Sequence, residues 1–474
     1  MSYTSGPLRS LYVAAPYPGK VLMASVYGWK QRRDRYREGF KQTTAFLEES
    51  QHWPTEKLRK YQTDQRDEFL ERALHASGYY RSRPEYASAL SRGNFADLPL
   101  LSKKAVREHL REIARGDLDE RSYRMVYTSG TTGTSLHFPV STRAFQREYA
   151  YRAHHNSWGG VSLHGRHRIA FCAGHPVAFI DRKRPPFWTY DVANNMMLFS
   201  SYHLTGDNLP HYVRALERFR PLMLSGYPSS LYLLALAYEK YGTGKLHLRS
   251  VFTSSETLFD YQRQKISAAF GTRVFNYYGN TEMCANAMEC EQGRLHLKME
   301  YSYVEVLNAE NKPCAPGETG RLVCTAFGND AFPLVRYEIG DTATVAVDQQ
   351  CPCGRSGLML DGLVGRVEDY VVTPDGRLVG RLDHIFKEAE NIQQAQILQH
   401  SMNEIVLRIV RNDRYSSRDE GVLLAAARAR LGQSMRIRLE YVDSIPRTSN
   451  GKSRFIESSI DQKLVLSKIF SQSQ

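Results

Sequence analysis

The stretch Tyr127-Thr128-Ser129-Gly130-Thr131-Thr132-Gly133-Thr134-Ser135 is the most informative part of this chain. Six of its nine residues are serine or threonine, and two are glycine. Hydroxyls can donate hydrogen bonds to phosphate oxygens, and glycines permit the positive φ values with which backbone N–H groups surround an anion. The apolar residues Met125 and Val126 precede it, which predicts a phosphate-binding loop after a short strand. The lysine of a Walker loop is missing, and a Ser/Thr-rich surface turn is an equally good interpretation of this stretch alone.

The length and composition describe a globular protein of two or more domains. A chain of 474 residues exceeds the size of one hydrophobic core, and its 42% hydrophobic and 24% charged residues are ordinary values. No apolar run approaches the roughly 20 residues that span a bilayer. The N-terminal segment also lacks the continuous apolar core of a signal peptide. We therefore expect a cytoplasmic protein without a transmembrane segment.

The formal net charge of +13 does not identify a partner by itself. The densest basic cluster, residues 30–35, is interrupted by Asp34 and lies in a predicted helix. No nucleic-acid-binding motif surrounds it, so we expect a solvated basic face and no nucleic-acid partner. An anionic membrane surface or a phosphorylated substrate stays open as the alternative.

The apolar pattern changes along the chain and predicts an α/β fold. Residues 1–120 are predicted to be mainly helical, and from about 120 short apolar strands alternate with helices. This β-α-β order indicates a sheet with helices on both faces. After Tyr301 the strands become shorter and are separated by Gly and Pro turns. A smaller lobe follows Arg366, with a hairpin turn at residues 374–376, then a helix, a strand from Glu404 to Val410, another helix and a last strand.

Four further segments carry residues suited to nucleotide chemistry. Residues 278–282 (Tyr-Gly-Asn-Thr-Glu) follow a predicted strand and offer an aromatic ring for a base, a threonine for a phosphate and a glutamate for Mg²⁺. Asp341 follows a glycine and can accept hydrogen bonds from ribose hydroxyls. Residues 365–369 open the small lobe, and Lys452 lies on a predicted turn from which it can supply a point charge. Each segment alone also fits an ordinary strand end, turn or loop, whereas their joint occurrence in this order favours function.

In these segments the chain resembles the adenylate-forming superfamily of acyl- and aryl-CoA synthetases, luciferases and peptide-synthetase adenylation domains. The similar segments are residues 128–133 (phosphate loop), 278–282 (Tyr-Gly-x-Thr-Glu), 337–341 (Tyr-x-x-Gly-Asp), 365–368 (hinge) and 451–452 (catalytic lysine). Segments 53–62, 289–305, 351–355 and 393–399 are more closely similar to the phenylacetate–CoA ligase family, in the branch labelled capsular polysaccharide biosynthesis proteins. The resemblance covers essentially the whole chain.

The resemblance implies a fold, a domain division and a reaction. The expected fold is α/β, with a large N-terminal adenylation domain (residues 1–365) of mixed sheets flanked by helices and a small, mobile α+β C-terminal domain (residues 366–474). The expected activity is that of an AMP-forming acid–thiol ligase. A small-molecule carboxylic acid reacts with ATP and Mg²⁺ to give an acyl-adenylate, and the acyl group then passes to an acceptor, by default coenzyme A.

The resemblance also implies roles for individual residues. The residues expected to bind ATP are Thr128, Ser129, Gly130, Thr131, Thr132 and Gly133 at the phosphates, Tyr278 and Gly279 at the adenine, Asp341 at the ribose, and Arg366. The residues expected to be catalytic are Thr281 at the α-phosphate, Glu282 at the magnesium, and Lys452 between the α-phosphate and the carboxylate. The small lobe would rotate about Glu368, which stands where an aspartate is usual. Ser135-Leu136 replaces the Pro-Lys that often follows the phosphate loop.

The seven cysteines, an odd number in a chain without a secretion signal, favour reduced thiols and a metal over disulfides. Zinc-bearing members of the resembled family have Cys, His, Cys and Cys at the positions of Cys290, His296, Cys351 and Cys353. Three thiolates and an imidazole form a closed tetrahedral zinc shell of the structural type. Cys284 is the spare ligand candidate, and buried thiols without a metal are the alternative.

The sequence leaves the acid and the acceptor open. In place of coenzyme A, an amine or a hydroxyl of a sugar or carrier in polysaccharide biosynthesis can take the acyl group. A non-catalytic nucleotide-binding scaffold is a second alternative, and a nucleotidyl transferase whose adenylylated product is final is a third. We also allow for a homodimer.

Overall fold

The computed structural model describes residues 6–119, 121–128, 136–162, 167–364, 370–380, 382–386, 391–445 and 455–460. The N-terminal part is helical, as its apolar periodicity predicts. Its helices are α1 (Gly6–Ala14), α2 (Tyr17–Arg35), α3 (Glu38–Ser50), α4 (Thr55–Ala76), α5 (Gly78–Arg81), α6 (Pro84–Arg92), α7 (Lys103–Glu108) and α8 (Leu110–Ile113). In α4 the residues Leu58, Phe69, Leu70 and Ala73 share one face and are buried. None of the helices described is both long enough and apolar enough to cross a bilayer.

The large domain is built around a twelve-stranded mixed sheet. Its strands are β3 (Ile169–Ala173), β4 (Trp188–Asp191), β5 (Met196–Ser200), β6 (Met223–Gly226), β7 (Ser250–Ser254), β8 (Val274–Gly279), β9 (Asn286–Glu289), β10 (Leu295–Leu297), β11 (Ser302–Leu307), β12 (Thr319–Ala326), β13 (Tyr337–Val345) and β14 (Leu358–Val364). Their order is β11-β12-β13-β14-β10-β9-β8-β7-β6-β3-β5-β4. A separate hairpin, β1 (Tyr123–Tyr127) and β2 (His137–Ser141), carries the hydroxyl-rich stretch between its strands.

Helices cover both faces of the central strands, as the β-α-β order predicts. These helices are α9 (Thr142–Trp158), α10 (Leu209–Phe219), α11 (Pro228–Tyr241) and α12 (Asp260–Phe270). Leu224, Val251 and Val274 pack in one core with α10–α12, whereas Phe252 and Phe275 stack at 5.0 Å in another with the end of α9. Strands β5, β3, β6, β7 and β8 run parallel, so their carboxyl ends share one edge, where ligands bind in such folds.

The small C-terminal domain is α+β, as expected. It contains β15 (Val371–Val372), β16 (Leu378–Val379), β17 (Ile392–Ser401), β18 (Glu404–Arg411), α13 (Ser417–Leu431), β19 (Arg436–Tyr441) and β20 (Ile456–Ser458). β15 and β16 pair around the predicted turn. The other strands form a sheet in the order β19-β18-β17-β20, and α13 packs on it.

The structure differs from the sequence-based expectation between this hairpin and Glu404. In place of the expected helix, the described residues form a short 3₁₀ helix, Leu382–Phe386, and the ten-residue strand β17. Glutamines interrupt the apolar alternation of β17 and hide its period. Buried Gln399 shows why they are tolerated there. Its side-chain amide accepts from the Val372 N–H at 2.8 Å and donates to the Val372 carbonyl at 2.5 Å, so that it pairs like a strand backbone.

The two domains touch through polar contacts at the edge of the large sheet. The Tyr370 hydroxyl donates to Glu256 Oε2 at 3.0 Å, and the Arg377 guanidinium donates to the Tyr202 carbonyl at 3.2 Å. Glu256 follows β7 and belongs to the large domain. The predicted domain boundary, between residues 365 and 366, lies outside the described residues.

Candidate functional site

A cavity of about 570 Å³ opens at the carboxyl-terminal ends of β7 and β8. Six residues predicted from the sequence line it: Thr128, Tyr278, Gly279, Thr281, Glu282 and Asp341. They come from the end of β1, the end of β8 with its following turn, and the middle of β13. The fold therefore brings together three segments that are far apart in the sequence.

Tyr278 and Asp341 are joined directly. The Tyr278 hydroxyl donates a hydrogen bond to Asp341 Oδ2 at 2.7 Å. Burial, and then the Asp341 carboxylate, raise the pKa of Tyr278 well above its ordinary value. The phenol consequently stays protonated at neutral pH and remains a donor. The contact fixes the orientation of a flat aromatic ring beside a carboxylate. Such a pair suits a nucleoside, because a ring can stack on a base and a carboxylate can accept hydrogen bonds from ribose hydroxyls.

The turn after β8 fixes the position of Glu282. Asn280 closes this turn, because its side chain accepts from the Cys284 N–H at 3.0 Å and donates to the Ala285 carbonyl at 3.1 Å. Met283 has a φ of 53°, which is uncommon for a residue other than glycine. Glu282 is only 6% exposed and accepts from the Tyr337 hydroxyl at 3.3 Å. Its carboxylate is thus held at the wall of the cavity.

Thr128 closes the base of the hydroxyl-rich loop. Its N–H donates to the Leu136 carbonyl at 3.0 Å, and its Oγ1 accepts from the Leu136 N–H at 2.9 Å. Both residues are buried. The remaining predicted loop residues, Ser129, Gly130, Thr131, Thr132 and Gly133, lie outside the described residues, as do Arg366, Glu368 and Lys452.

The wall of the cavity also contains a buried carboxylate that sequence reasoning missed. Glu148 of α9 accepts from the hydroxyls of Tyr277 and Tyr301 and from Arg152 Nε, each at 2.9 Å. The side chain of Glu148 is 8% exposed. Its acceptor role depends on tyrosines more than a hundred residues away in the sequence, so no local pattern indicates it.

A second carboxylate supports the strand that carries the site. Glu289 accepts two hydrogen bonds from the Arg263 guanidinium at 2.6 and 2.8 Å, and one from the Asn276 N–H at 3.1 Å. Glu256, another lining residue that was missed, accepts from the Ser229 N–H at 3.2 Å at the start of α11. The position of Glu256 could have been noticed in the sequence, because it lies in the turn shortly after the strand predicted at residues 250–253.

The described wall of the cavity is predominantly acidic. Its ionisable groups are the carboxylates of Glu148, Glu256, Asp260, Glu282, Glu289, Asp341 and Asp361 and the cations of Lys103, Arg152 and Arg263. Arg152 and Arg263 are each paired with one of these carboxylates. A phosphate-bearing ligand therefore requires positive charge beyond what this wall supplies.

The four predicted metal ligands lie together beside the β9–β10 hairpin. The ligand atoms of Cys290, His296, Cys351 and Cys353 are all within 4.8 Å of one another. Cys290 Sγ is 3.6 Å from Cys351 Sγ, and Cys353 Sγ is 3.5 Å from His296 Nε2. This set of soft and borderline donors is one that divalent zinc prefers.

The surroundings of this cluster suit thiolates bound to a cation. The backbone N–H groups of Gln292 and Arg355 each donate to a cysteine sulfur at 3.4 Å. Burial, and then nearby cations led by Lys298, lower the pKa of His296 to about 4, so its imidazole is neutral and can act as a ligand. Three thiolates around a divalent ion carry one net negative charge. The cations of Lys298 and Arg355 lie nearby, and each is also paired with a glutamate, Glu300 and Glu291 respectively.

Two family models match the chain. The model described as AMP-binding enzyme matches residues 47–328, and the model described as CapK C-terminal domain matches residues 371–459. The first range contains the β8 segment of the cavity and Thr128. The second range corresponds to the small domain.

Known proteins are similar over different shares of the chain. Protein CapK from Staphylococcus aureus is 25% identical over 460 residues, which are 94% of this chain and 98% of that protein. Phenylacetate-coenzyme A ligase from Thermus thermophilus is 27% identical over 176 residues, which are 36% of this chain and 39% of that protein. The structure of 2-hydroxyisobutyryl-CoA ligase in complex with 2-HIB-AMP and CoA has a TM-score of 0.55 at 19% identity, over 90% of this chain and 94% of that chain. At this identity the structural similarity shows the fold alone.

Removing the Glu148 carboxylate is expected to destabilise the large domain. Glu148→Ala leaves two buried phenols without an acceptor, and we expect a loss of about 2–4 kcal/mol in the free energy of unfolding. Arg152 adds little, because it is 49% exposed. Glu148→Gln retains an acceptor oxygen and should lose clearly less. Urea denaturation measures both variants, and equal stabilities of the Ala and Gln variants would contradict the role.

Proposed function

Because the chain belongs to the AMP-binding enzyme family, we propose that it activates a small-molecule carboxylic acid with ATP and then transfers the acyl group to an acceptor, coenzyme A being the first choice. The observation that supports this most is the convergence of Thr128, Tyr278, Glu282 and Asp341 on one cavity at the carboxyl edge of the sheet. Tyr278 would stack on the adenine, and Asp341 would accept hydrogen bonds from the ribose hydroxyls.

In the first half-reaction, a carboxylate oxygen attacks the α-phosphorus of ATP. A P–O bond forms, the bond to the β-phosphate bridging oxygen breaks, and pyrophosphate leaves. The reaction brings two anions into a cavity whose described wall is acidic, so catalysis requires imported positive charge and fixed positions. Glu282, held at the wall, would bind Mg²⁺, which neutralises phosphate charge when bound. Thr281 would contact the α-phosphate, and Lys452 would lie between that phosphate and the carboxylate.

In the second half-reaction, the thiol, amine or hydroxyl of the acceptor would attack the acyl carbon and lose its proton, while the bond from that carbon to the phosphate oxygen breaks and AMP leaves. The acceptor must therefore reach a carbon that Lys452 would have covered. We propose that the small domain rotates about Glu368, withdraws Lys452 and admits the acceptor. The Tyr370 contact with Glu256 supports this idea, because it joins the start of the small domain to a residue of the cavity wall. Rotation of the small domain would have to break or remake this hydrogen bond.

The acceptor has a second candidate. The similarity to Protein CapK extends over 94% of this chain, whereas the similarity to phenylacetate-coenzyme A ligase extends over 36%. Because four segments of the sequence also resemble the branch labelled capsular polysaccharide biosynthesis proteins, acyl transfer to an amine or a hydroxyl of a sugar or carrier in polysaccharide biosynthesis is our alternative. ATP–pyrophosphate exchange with a library of carboxylic acids identifies the acid. Analysis of the products formed with coenzyme A and with amine or hydroxyl acceptors then decides which acceptor is used. No exchange with any acid would favour a non-catalytic scaffold, and an AMP ester that accumulates in the presence of every acceptor would favour a nucleotidyl transferase.

We further propose that Cys290, His296, Cys351 and Cys353 bind one structural zinc ion. Their geometry leaves the ligand set closed, with no position reserved for a substrate. The ion would join the β9–β10 hairpin to the loop before β14 and so support the sheet beside the cavity. We also propose a cytoplasmic location, where thiols such as these stay reduced and available to a metal.

Loss of the Lys452 ammonium is expected to slow adenylation selectively. Lys452→Ala should reduce ATP–pyrophosphate exchange by roughly 10²–10³-fold, the scale for removing one pre-organised electrostatic group. Acyl transfer from a supplied acyl-adenylate should remain nearly normal. Arg436→Ala, at a cation of the small domain that is 80% exposed, serves as the matched control. Exchange at the wild-type rate in the Lys452 variant would refute the assignment.

Two substitutions test the rotation of the small domain. Tyr370→Phe removes only the hydroxyl that contacts Glu256, and we expect the ratio of the two half-reaction rates to change by roughly tenfold. Glu368→Pro locks φ near −65° and should slow one half-reaction strongly while sparing the other. Tyr441→Phe, at an exposed tyrosine of the same domain, is the control. Equal, mild losses in both half-reactions would indicate that one domain arrangement serves both.

Removing the zinc is expected to lower stability more than nucleotide affinity. Elemental analysis should find one zinc per chain, and Cys351→Ser or Cys353→Ser should lose it together with several degrees of melting temperature. Cys314→Ser, at a half-buried cysteine outside the cluster, should retain both. A metal-free, fully active preparation, with Cys290→Ser unchanged in melting temperature, would support the interpretation as buried thiols.

A further inference from the structure

Helix α2 exposes a row of large apolar side chains to solvent. Leu22, Val26 and Trp29 are 66%, 62% and 63% exposed. Their spacing of four and three residues places them on one face of the helix. Leu8 and Leu11 of the preceding helix α1 are 40% and 60% exposed. Single exposed apolar residues are ordinary, but a contiguous row on one helix face indicates an interaction site.

The opposite face of α2 is fixed to the large domain. Ala24 is buried, and a side chain at Gly28 would collide with the Asp191 carboxylate. Lys20 Nζ donates to the Val177 carbonyl at 2.8 Å, and Ser25 Oγ accepts from the Val192 N–H at 3.0 Å. These contacts determine the rotation of the helix about its axis. The apolar row is therefore held outward by the fold.

Basic side chains continue this exposed face after the apolar row. Lys30 and Arg33 of α2 are exposed, as is Arg37 just after its end, and Arg33 follows Trp29 at an interval of four residues. The Arg33 guanidinium lies 5.8 Å from the centre of the Trp29 ring. The ion pairs found within the described part of the chain include none of these three cations. The face thus combines apolar and positively charged side chains along α2, and Arg37 adds a cation just after the helix.

We propose that this face binds an anionic lipid surface, with α2 lying in the plane of the membrane interface. A helix that presents apolar side chains and Lys or Arg on its outward side inserts its apolar groups at the boundary of the headgroups while its cations contact lipid phosphates. The net charge of +13 favours the same approach to a negative surface. This function is independent of the proposed chemistry in the cavity.

A second copy of the chain is a less suitable occupant of this face. A twofold interface places the same patch of both copies together. It would place the exposed cations of both copies in one interface, where α2 offers no carboxylate to oppose them, because its one acid, Asp34, is paired with Arg124. Like charges opposed at an interface weaken association, whereas lipid phosphates neutralise the same cations. Charge complementarity therefore favours the membrane over a homodimer.

Flotation of the full-length protein with vesicles tests the proposal. We expect binding to phosphatidylcholine vesicles that contain phosphatidylglycerol, and at least roughly tenfold weaker binding to pure phosphatidylcholine vesicles. About 1 M NaCl, where the Debye length is about 3 Å, should largely abolish the difference. Trp29 emission should shift to shorter wavelength on binding, and Trp29→Phe should remove this shift. Equal binding to both kinds of vesicle, or to neither, would overturn the proposal.

Paired variants separate the apolar from the electrostatic contribution. Leu22→Glu with Val26→Glu, and separately Lys30→Glu with Arg33→Glu, should each weaken vesicle binding by roughly tenfold or more without changing the melting temperature. Val347→Glu and Lys60→Glu, at sites that are 71% and 77% exposed elsewhere, should bind like the wild type. Sedimentation at several protein concentrations tests whether a second copy of the chain occupies this face instead. A wild-type dimer that Leu22→Glu with Val26→Glu dissociates, without vesicle binding, would assign the face to a second copy.

Discussion

The carboxyl-terminal edge shared by the parallel strands β7 and β8 is the constraint on which the rest of the site depends. Helices cover both faces of these strands, so the open space lies at their ends. Glu256 and the turn after β8 reach this edge from successive strands. Asp341 reaches it from the other half of the sheet, and its hydrogen bond with Tyr278 joins the two halves. One cavity therefore collects side chains from segments that the sequence keeps apart.

The electrostatics of this cavity connect the large domain to the small one. Its described wall carries more carboxylates than cations, and Arg152 and Arg263 are each paired with one of those carboxylates. In the proposed reaction such a wall would contact the base and the ribose, whereas its carboxylates would repel a triphosphate. The proposed metal and the lysine of the small domain would supply the missing charge only when both are present. With such an arrangement, the phosphate charge would be neutralised, and the reaction favoured, only while the small domain is closed over the cavity.

Two features outside the cavity serve different ends. The cluster of Cys290, His296, Cys351 and Cys353 joins a hairpin to a loop beside the sheet, and the basic residues around it suit a thiolate–metal complex. Helix α2 packs its inner face against the edge strand β4 and turns its outward face to solvent. It offers apolar and basic groups but no chemistry. Stability, location and catalysis would thus depend on separate parts of one chain.

Local patterns in the sequence determined the fold class, most elements and the residue types of the site, because helical and strand periods, glycine turns and short motifs are properties of neighbouring residues. The acceptor role of Glu148, the contact between Tyr370 and Glu256, and strand β17 with its buried Gln399 required the tertiary structure. In α2 the tertiary structure is the opposite of what the rule that large apolar side chains are buried predicts. Apolar periodicity favours placing Leu22, Val26 and Trp29 inside, whereas the fold buries Ala24 and Gly28, since only a small residue at position 28 allows the helix to approach Asp191. A pattern along the chain identifies the faces of a helix, and packing against distant residues decides which face is turned inward.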